Sequence, residues 1–235
     1  MNADSLDDII KLSNTNSLEI EYQTSSSAFT RYNFGSIGSS SWGICIADVN
    51  HDGYNDIFTR GSYNGLKLIS ANNNGTSYTS NTLGGSSIFV QNLNFADIDN
   101  NGMINIFACH DDGISTPYKN TNNGTITYDL SLINSASTIP SDNSGNYGII
   151  WTDYDNDGDQ DLYISKCRLG ITNNMDGRRL NLLLQNDGSG NYTDVVEAAG
   201  LRPLAQSWAA NFEDIIGVKL GYKAFLVIEM ALERE

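Results

Sequence analysis

The sequence predicts an all-β fold, a β-propeller of about four four-stranded blades, and three observations lead there. Turn formers and small polar residues dominate: Gly supplies 22 of the 235 residues, while charged residues make up only 17%, against roughly 25% in an average domain. An acidic nonapeptide recurs three times without gaps, its first aspartates 49 and then 56 residues apart. Each copy is followed by the same succession of short apolar runs and an Asn/Gly turn, which is the content of one propeller blade. A stack of hairpins forming a β-solenoid is the competing architecture.

The three copies are Asp48-Val49-Asn50-His51-Asp52-Gly53-Tyr54-Asn55-Asp56, Asp97-Ile98-Asp99-Asn100-Asn101-Gly102-Met103-Ile104-Asn105 and Asp153-Tyr154-Asp155-Asn156-Asp157-Gly158-Asp159-Gln160-Asp161. Six residues before the loop-opening aspartate stand Trp42 and Tyr147, with Gln91 at that place in the middle repeat. Trp208 stands six before Asp214. After each loop comes an apolar triplet at Ile57, Ile106 or Leu162, then a second run such as 65–69 or 181–185. Turns at Asn73-Asn74-Gly75, Asn122-Asn123-Gly124 and Asn186-Asp187-Gly188 lead into runs carrying Tyr78, Tyr128 and Tyr192. Asn-Gly between apolar runs marks a hairpin, because both residues tolerate positive φ.

Two weaker copies flank these. Residues 2–8 fit the loop if its first position precedes Met1, and 207–214 approach a loop that then degenerates. The repeats therefore span 1–215, and the tail 216–235 is unassigned. The chain begins inside one repeat and stops inside another. This predicts either a partial ring or a four-bladed ring in which a strand at Trp208–Phe212 completes the N-terminal blade. Helical periodicity is confined to Thr193–Leu201, as a short turn.

Thirteen Lys+Arg against 28 Asp+Glu give a net charge of −15. That argues against nucleic acid and anionic membrane as partners, since both need a cationic footprint. No apolar run approaches the length of a bilayer span, and the first residues lack the basic and apolar regions of a signal peptide. Three cysteines, Cys45, Cys109 and Cys167, sit in apolar stretches at no metal-ligand spacing. They are expected as buried free thiols.

The acidic loops explain where the negative charge is spent. Oxygens at positions 1, 3, 5 and 9, with Gly at 6 for a sharp turn and a backbone carbonyl at 7, form a hard-oxygen cluster suited to Ca²⁺, which takes six to eight such ligands. A divalent cation removes the repulsion of clustered carboxylates. The predicted ligands are Asp48, Asn50, Asp52, the Tyr54 carbonyl and Asp56; Asp97, Asp99, Asn101, the Met103 carbonyl and Asn105; and Asp153, Asp155, Asp157, the Asp159 carbonyl and Asp161. An EF-hand needs a bidentate Glu at position 12. Thr59, Ala108 and Ile164 stand there instead. Mg²⁺, which keeps its waters, suits the loops less. Two to three sites are expected, tightest in the 153–161 loop with its four carboxylates and weakest in the 97–105 loop with two.

These strand–loop–strand units resemble the FG-GAP/VCBS repeats of integrin α-chain-like β-propellers over roughly residues 2–215. The stretch from Asn181 to Val195 with Ala198–Leu201 is similar to the cartilage acidic protein type. The resemblance implies a propeller on an extracellular or surface protein, with Ca²⁺ between strands 1 and 2 of each blade, acting in adhesion or as a scaffold. The chain departs from the pattern in having no Gly-Ala-Pro segment and only Phe34-Gly35 as an echo of the Phe-Gly element.

The function expected is a non-catalytic calcium-binding module presenting loops to a protein or glycan. A lectin is the alternative, since Trp42, Trp151, Trp208 and twelve tyrosines offer rings to stack on sugars, although fixed aromatics in a repeat usually pack blade to blade. A hydrolase or lyase is the third reading. Only His51 and His110 exist, neither in a nucleophile motif, and the acidic pairs a glycosidase needs are already assigned to metal. A catalytic role requires an acid outside the loops beside a perturbed histidine. Sequons begin at Asn74, Asn123 and Asn191. An extracellular location follows from the calcium supply such loops need.

Overall fold

Apolar triplets after the acidic loops have side chains pointing both ways, and the computed structural model shows why: sheets are stacked on both sides of them. It describes residues 1–13, 15–38, 41–61, 63–72, 74–85, 87–122, 124–135, 144–202, 205–213 and 224–229. The first sheet joins β1 (Ile9–Leu12), β2 (Ser17–Gln23) and β3 (Phe29–Ser36). The second joins β4 (Ser41–Ala47), β5 (Asp56–Gly61), β6 (Lys67–Asn72) and β7 (Ser77–Thr82). The third joins β8 (Val90–Ala96), β9 (Asn105–His110), β10 (Thr116–Asn120) and β11 (Ile126–Tyr128). A 3₁₀ turn at Leu130–Leu132 leads to β12 (Asn134–Ser135), which pairs parallel with the edge of the fourth sheet. That sheet holds β13 (Asn146–Thr152), β14 (Asp161–Lys166), β15 (Leu182–Asn186) and β16 (Asn191–Asp194). The fifth pairs β17 (Ser207–Glu213) with β18 (Ala224–Glu229). All other pairings are antiparallel.

This is the all-β, blade-by-blade architecture expected. The first strands β4, β8, β13 and β17 lie side by side in that order. Four apolar layers fill the spaces between successive sheets. Ile57 faces the first sheet with Leu18 and Ile20, while its neighbour Phe58 faces the third with Leu93 and Ile106. In β9, Ile106 and Ala108 face back as Phe107 and Cys109 face forward. In β14, Tyr163 joins Leu183 and Phe212 while Leu162 and Ile164 join the layer behind. Side-chain period 2 in a sheet covered on both faces gives a continuous apolar run. The first sheet differs: Ser17, Glu19, Glu21 and Gln23 alternate with buried Leu18, Ile20 and Tyr22. Its outer face is a polar ladder in which Lys11 and Arg31 pair with Glu19 and Glu21, the kind of face that ends a repeat array.

Trp42, Gln91, Tyr147 and Trp208 share a structural role that the sequence does not state. Register shifts between Ser41/Gly43, Val90/Asn92, Asn146/Gly148 and Ser207/Ala209 place each of them at a β-bulge in a first strand. A bulge re-aims a side chain and strengthens twist. The residue after it brings neighbouring strands close: a Cβ on Gly43 would meet Leu93 at 2.9 Å, and one on Gly148 the Trp208 carbonyl at 2.7 Å.

The hairpins form where Asn-Gly turns were expected, with Asn74 and Gly75 both at positive φ. Thr193–Leu201 is the end of β16 and a turn closed by Leu201 N–H to the Val196 carbonyl. Cys109 and Cys167 are buried free thiols, and Cys45 is only half-buried. Among the described residues the Trp208 strand does not pair with the N-terminal blade: β17 pairs with β18, from the segment left unassigned, and β1 pairs with β2. Asn73, Asn123, the degenerate loop at Asp214 and the rest of the tail lie outside the described residues.

Phe107 is buried between the third and fourth sheets and meets Trp151 edge to face, ring centres 5.9 Å apart. Phe107→Ala is expected to cost about 3–5 kcal/mol in urea unfolding, whereas Ile46→Ala, on a half-exposed face, costs far less.

Candidate metal centre

Each acidic loop is built on hydrogen bonds from its own backbone. The position-1 carboxylate caps the turn: Asp48 accepts from the N–H groups of Asp52 at 3.1 Å and Gly53 at 2.8 Å. Asp97 accepts from Asn101 at 3.0 Å and Gly102 at 2.7 Å, and Asp153 from Asp157 at 3.1 Å and Gly158 at 3.3 Å. Position 4 is left-handed in all three, His51, Asn100 and Asn156 having φ of 58°, 50° and 62°. His51 therefore sits at a turn position rather than at a reacting centre. Glycine follows two residues later at φ of 84–97°, a conformation that costs side-chain-bearing residues.

Position 9 is buried and ties three pieces of chain together. Asp56 Oδ2 accepts from Val49 N–H at 3.2 Å and Oδ1 from Ala71 N–H, on the third strand, at 2.9 Å. Asp161 does the same with Tyr154 at 2.6 Å and Asn186 at 2.8 Å. Asn105 accepts from Asn120 N–H at 2.9 Å, and its amide donates instead to Asp99 at 3.0 Å. The partial loop at 2–8 keeps this plan. Asp8 accepts from Gln23 N–H at 3.0 Å and lies 3.4 Å from the Met1 amino group, while Ala3 and Ser5 take the two left-handed positions.

Beyond that shared frame the loops diverge. Among the described residues one set of carboxylates converges: oxygens of Asp153, Asp155 and Asp161 all lie within 4.8 Å of one another. Oxygens on opposite sides of a bound Ca²⁺ are about 5 Å apart, so these three fit the ion and would hold it. Asp157 turns to cap Asp159 N–H at 3.0 Å, and the Asp159 carboxylate accepts from Asn100 of the neighbouring loop. In the 48–56 loop, Asp52 accepts from Asn50 at 3.0 Å and from Tyr54 N–H at 2.8 Å. In the 97–105 loop, Asn101 and Asp99 pair at 3.0 Å, and Met103 N–H donates to Asn101 at 2.8 Å.

Two residues outside the loops decide their charge. Lys119 places Nζ 2.7 Å from Asp99 Oδ2, giving the middle loop a cation from the protein itself. At the equivalent place on the fourth sheet, neutral Gln185 donates to Asp155. Both precede the third-strand residue whose N–H is held by position 9. Aligning third strands as well as loops is the signal that finds them.

A family model for FG-GAP-like repeats matches residues 48–108 and again 97–164. No curated protein sequence matches significantly. Among solved structures that share the fold is a protein from Bifidobacterium bifidum S17 provisionally named an exo-beta-1,3-galactanase, with TM-score 0.51, 12% identity, and coverage of 94% of this chain and 76% of that one. At that identity the likeness speaks for fold alone.

Burial pushes the carboxyl groups of Asp56 and Asp161 up to about 6, against the pull of their backbone donors; neighbouring loop aspartates add to the rise. A carboxyl raised in the fold binds its proton more tightly there than in the unfolded chain. Its stabilising contribution is full below the unfolded value near 4 and is lost as pH rises through about 6. In EDTA, the gap in melting midpoint between wild type and Asp56→Asn or Asp161→Asn is therefore expected to change between about pH 4 and 7, wild type losing ground as pH rises.

Proposed function

Because this chain belongs to the FG-GAP-like repeat family, we propose that its β-propeller module is a non-catalytic, calcium-binding one, working outside the cell or on its surface and presenting loops to a protein or glycan partner in adhesion. The observation that carries this reading is the convergence of Asp153, Asp155 and Asp161, next to a sister loop in which Lys119 stands beside Asp99. Three carboxylates this close repel each other, and a divalent cation offsets that cost. The 153–161 loop is the main site, the 48–56 loop a weaker one, and the 97–105 loop is silent. A bound ion would stiffen the join between β13 and β14. Extracellular modules bind at about 10⁻⁴–10⁻³ M, which favours that compartment. No helix among the described residues is long and apolar enough to cross a membrane.

The opposite ends of the strands favour a lectin-like variant of the same reading. Phe89 lies between Trp42 and Tyr63, at centroid distances of 6.4 and 5.7 Å, and Tyr63 is 6.4 Å from His110. Arg168 Nη1 lies 2.5 Å from Asp112 Oδ1 and 3.2 Å from Asp111 Oδ1, and Tyr63 donates to Asp112. Exposed rings beside paired planar polar groups suit a sugar or a peptide. The same corner argues against hydrolysis, although His110, held below its usual value by burial, stands beside these acids. Asp112 is pulled down by Tyr63 and Arg168, the direction opposite to what a general acid needs.

A thermal melt across a Ca²⁺ titration tests the proposal. A site at 100 times its dissociation constant adds about 2.7 kcal/mol, a rise of several degrees for a chain of this size. Asp153→Asn with Asp155→Asn should remove most of the rise, and Asp99→Asn should leave it intact. A midpoint indifferent to Ca²⁺ sinks the metal assignment.

A further inference from the structure

Four Asn-Gly pairs occur in the chain, at 64–65, 74–75, 101–102 and 123–124. Asparagine before glycine is the amide most open to ring closure, because the next backbone nitrogen reaches the side-chain carbonyl carbon and no Cβ shields it. Asn123 lies outside the described residues. The other three pairs differ in burial: Gly65 and Gly75 are buried, whereas Gly102 and Asn101 are both exposed. The Gly75 carbonyl is also pinned by the hydroxyls of Tyr22 at 2.6 Å and Tyr78 at 2.9 Å. A Cβ built on Gly102 would meet no heavy atom within 4 Å. A ring closing there has room, and so has the water that opens it.

The 97–105 loop also engages each group that such a closure involves. Gly102 N–H, the attacking group, donates to Asp97 Oδ2 at 2.7 Å, and the carboxylate draws the proton away from nitrogen. The Asn101 carbonyl oxygen accepts from Met103 N–H at 2.8 Å, a donor placed where negative charge develops during attack. The amide nitrogen that must leave donates to Asp99 Oδ2 at 3.0 Å, and Lys119 Nζ lies 2.7 Å from the same oxygen. Groups held together in this way react without the full entropy cost of meeting. The loop plan also accepts the product. Position 5 is aspartate in the sister loops, where Asp52 takes Tyr54 N–H at 2.8 Å and Asp157 takes Asp159 N–H at 3.0 Å, as Asn101 takes Met103 N–H.

We propose that Asn101 is a site of spontaneous deamidation, through which the 97–105 loop acquires a third carboxylate as the protein ages. The Gly102 nitrogen loses its proton to a solvent base and bonds to Asn101 Cγ. The carbonyl electron pair moves onto Oδ1 and returns as the Cγ–Nδ2 bond breaks. Nδ2 leaves as ammonia, taking a proton from solvent, and a succinimide remains. Water then adds to either of its carbonyls and opens the ring. One direction gives aspartate, the other isoaspartate with the backbone rerouted through Cγ. The balance is one water consumed and one ammonia released. Aspartate at 101 exchanges the present hydrogen bond to Asp99 for repulsion between two carboxylates. Only the further consequence, that the converted loop takes up Ca²⁺, rests on the calcium reading above.

The test incubates the full chain in EDTA at neutral and mildly alkaline pH and follows its Asn-Gly peptides by mass spectrometry, with isoaspartate scored by enzymatic methylation. Asn101 is expected to convert about tenfold faster than Asn64 and Asn74, a difference of about 1.4 kcal/mol in barrier, and faster at the higher pH. It should also convert at least as fast in the fold as in the chain unfolded by urea. Asn101→Gln, whose ring would be one atom larger, should keep the wild-type melting midpoint and stop conversion at 101, whereas Asn74→Gln should leave that conversion unchanged. Slower conversion of Asn101 than of Asn64 or Asn74 overturns the proposal, as does slower conversion in the fold than in urea. Asn101→Asp carries the product from the start and reads the consequence: its midpoint should rise further with Ca²⁺ than that of the wild type. Conversion at 101 with no added rise upholds the modification and removes only the ion from the converted loop. Conversion in a wild type indifferent to Ca²⁺ also upholds it and removes only the calcium reading.

Discussion

One buried side chain per blade holds the architecture together. Asp8, Asp56, Asn105 and Asp161 each stand at the start of a second strand and accept the N–H of a residue on the third, at 2.8–3.0 Å. With the second bonds from Val49 and Tyr154, this side chain fixes the loop, the second strand and the third strand at one point. Burying a carboxylate is costly unless donors surround it, and the backbone supplies them. Burial still pushes the carboxyl groups of Asp56 and Asp161 up to about 6, so the donors offset only part of that cost.

The position that looks like a ligand in sequence is therefore first a structural tie, and any metal role is added to it. That separates two questions the acidic motif merges. Asn105 preserves the tie without a charge, and its amide satisfies Asp99 from within. With Lys119 beside the same aspartate, the middle loop is complete as a protein structure. The 153–161 loop keeps its three converging carboxylates, and it is the copy proposed above to take a cation. One fold element thus serves as a turn in every repeat, and under the calcium reading proposed above the 153–161 copy would also be a metal cup.

Blade order and loop shape were legible in the sequence because both are periodic: an in-register acidic nonapeptide, apolar triplets on strands covered on two faces, and Asn-Gly turns whose positive φ few residues accept. Trp42, Gln91, Tyr147 and Trp208, six places before their loops, were visible as a pattern but not as bulges, since a register slip leaves no compositional mark. Lys119 and Gln185 were hidden because their partners lie far away in sequence. The pairing of β17 with β18 was unforeseen, as residues 224–229 carry no repeat signal. Trp208 instead stacks on Tyr147 at 6.1 Å, as part of the next step in the array.

Amide hydrogen exchange resolved to single residues tests the central claim most directly. The account predicts that the N–H groups of Ala71, Asn120 and Asn186 are among the slowest to exchange even in EDTA, since each is held by a buried position-9 side chain. It predicts that Ca²⁺ slows Tyr154, Asp157 and Gly158 further while leaving Asn101 and Gly102 unchanged. Fast exchange at the three tied amides, or equal protection of all loops by Ca²⁺, would contradict it.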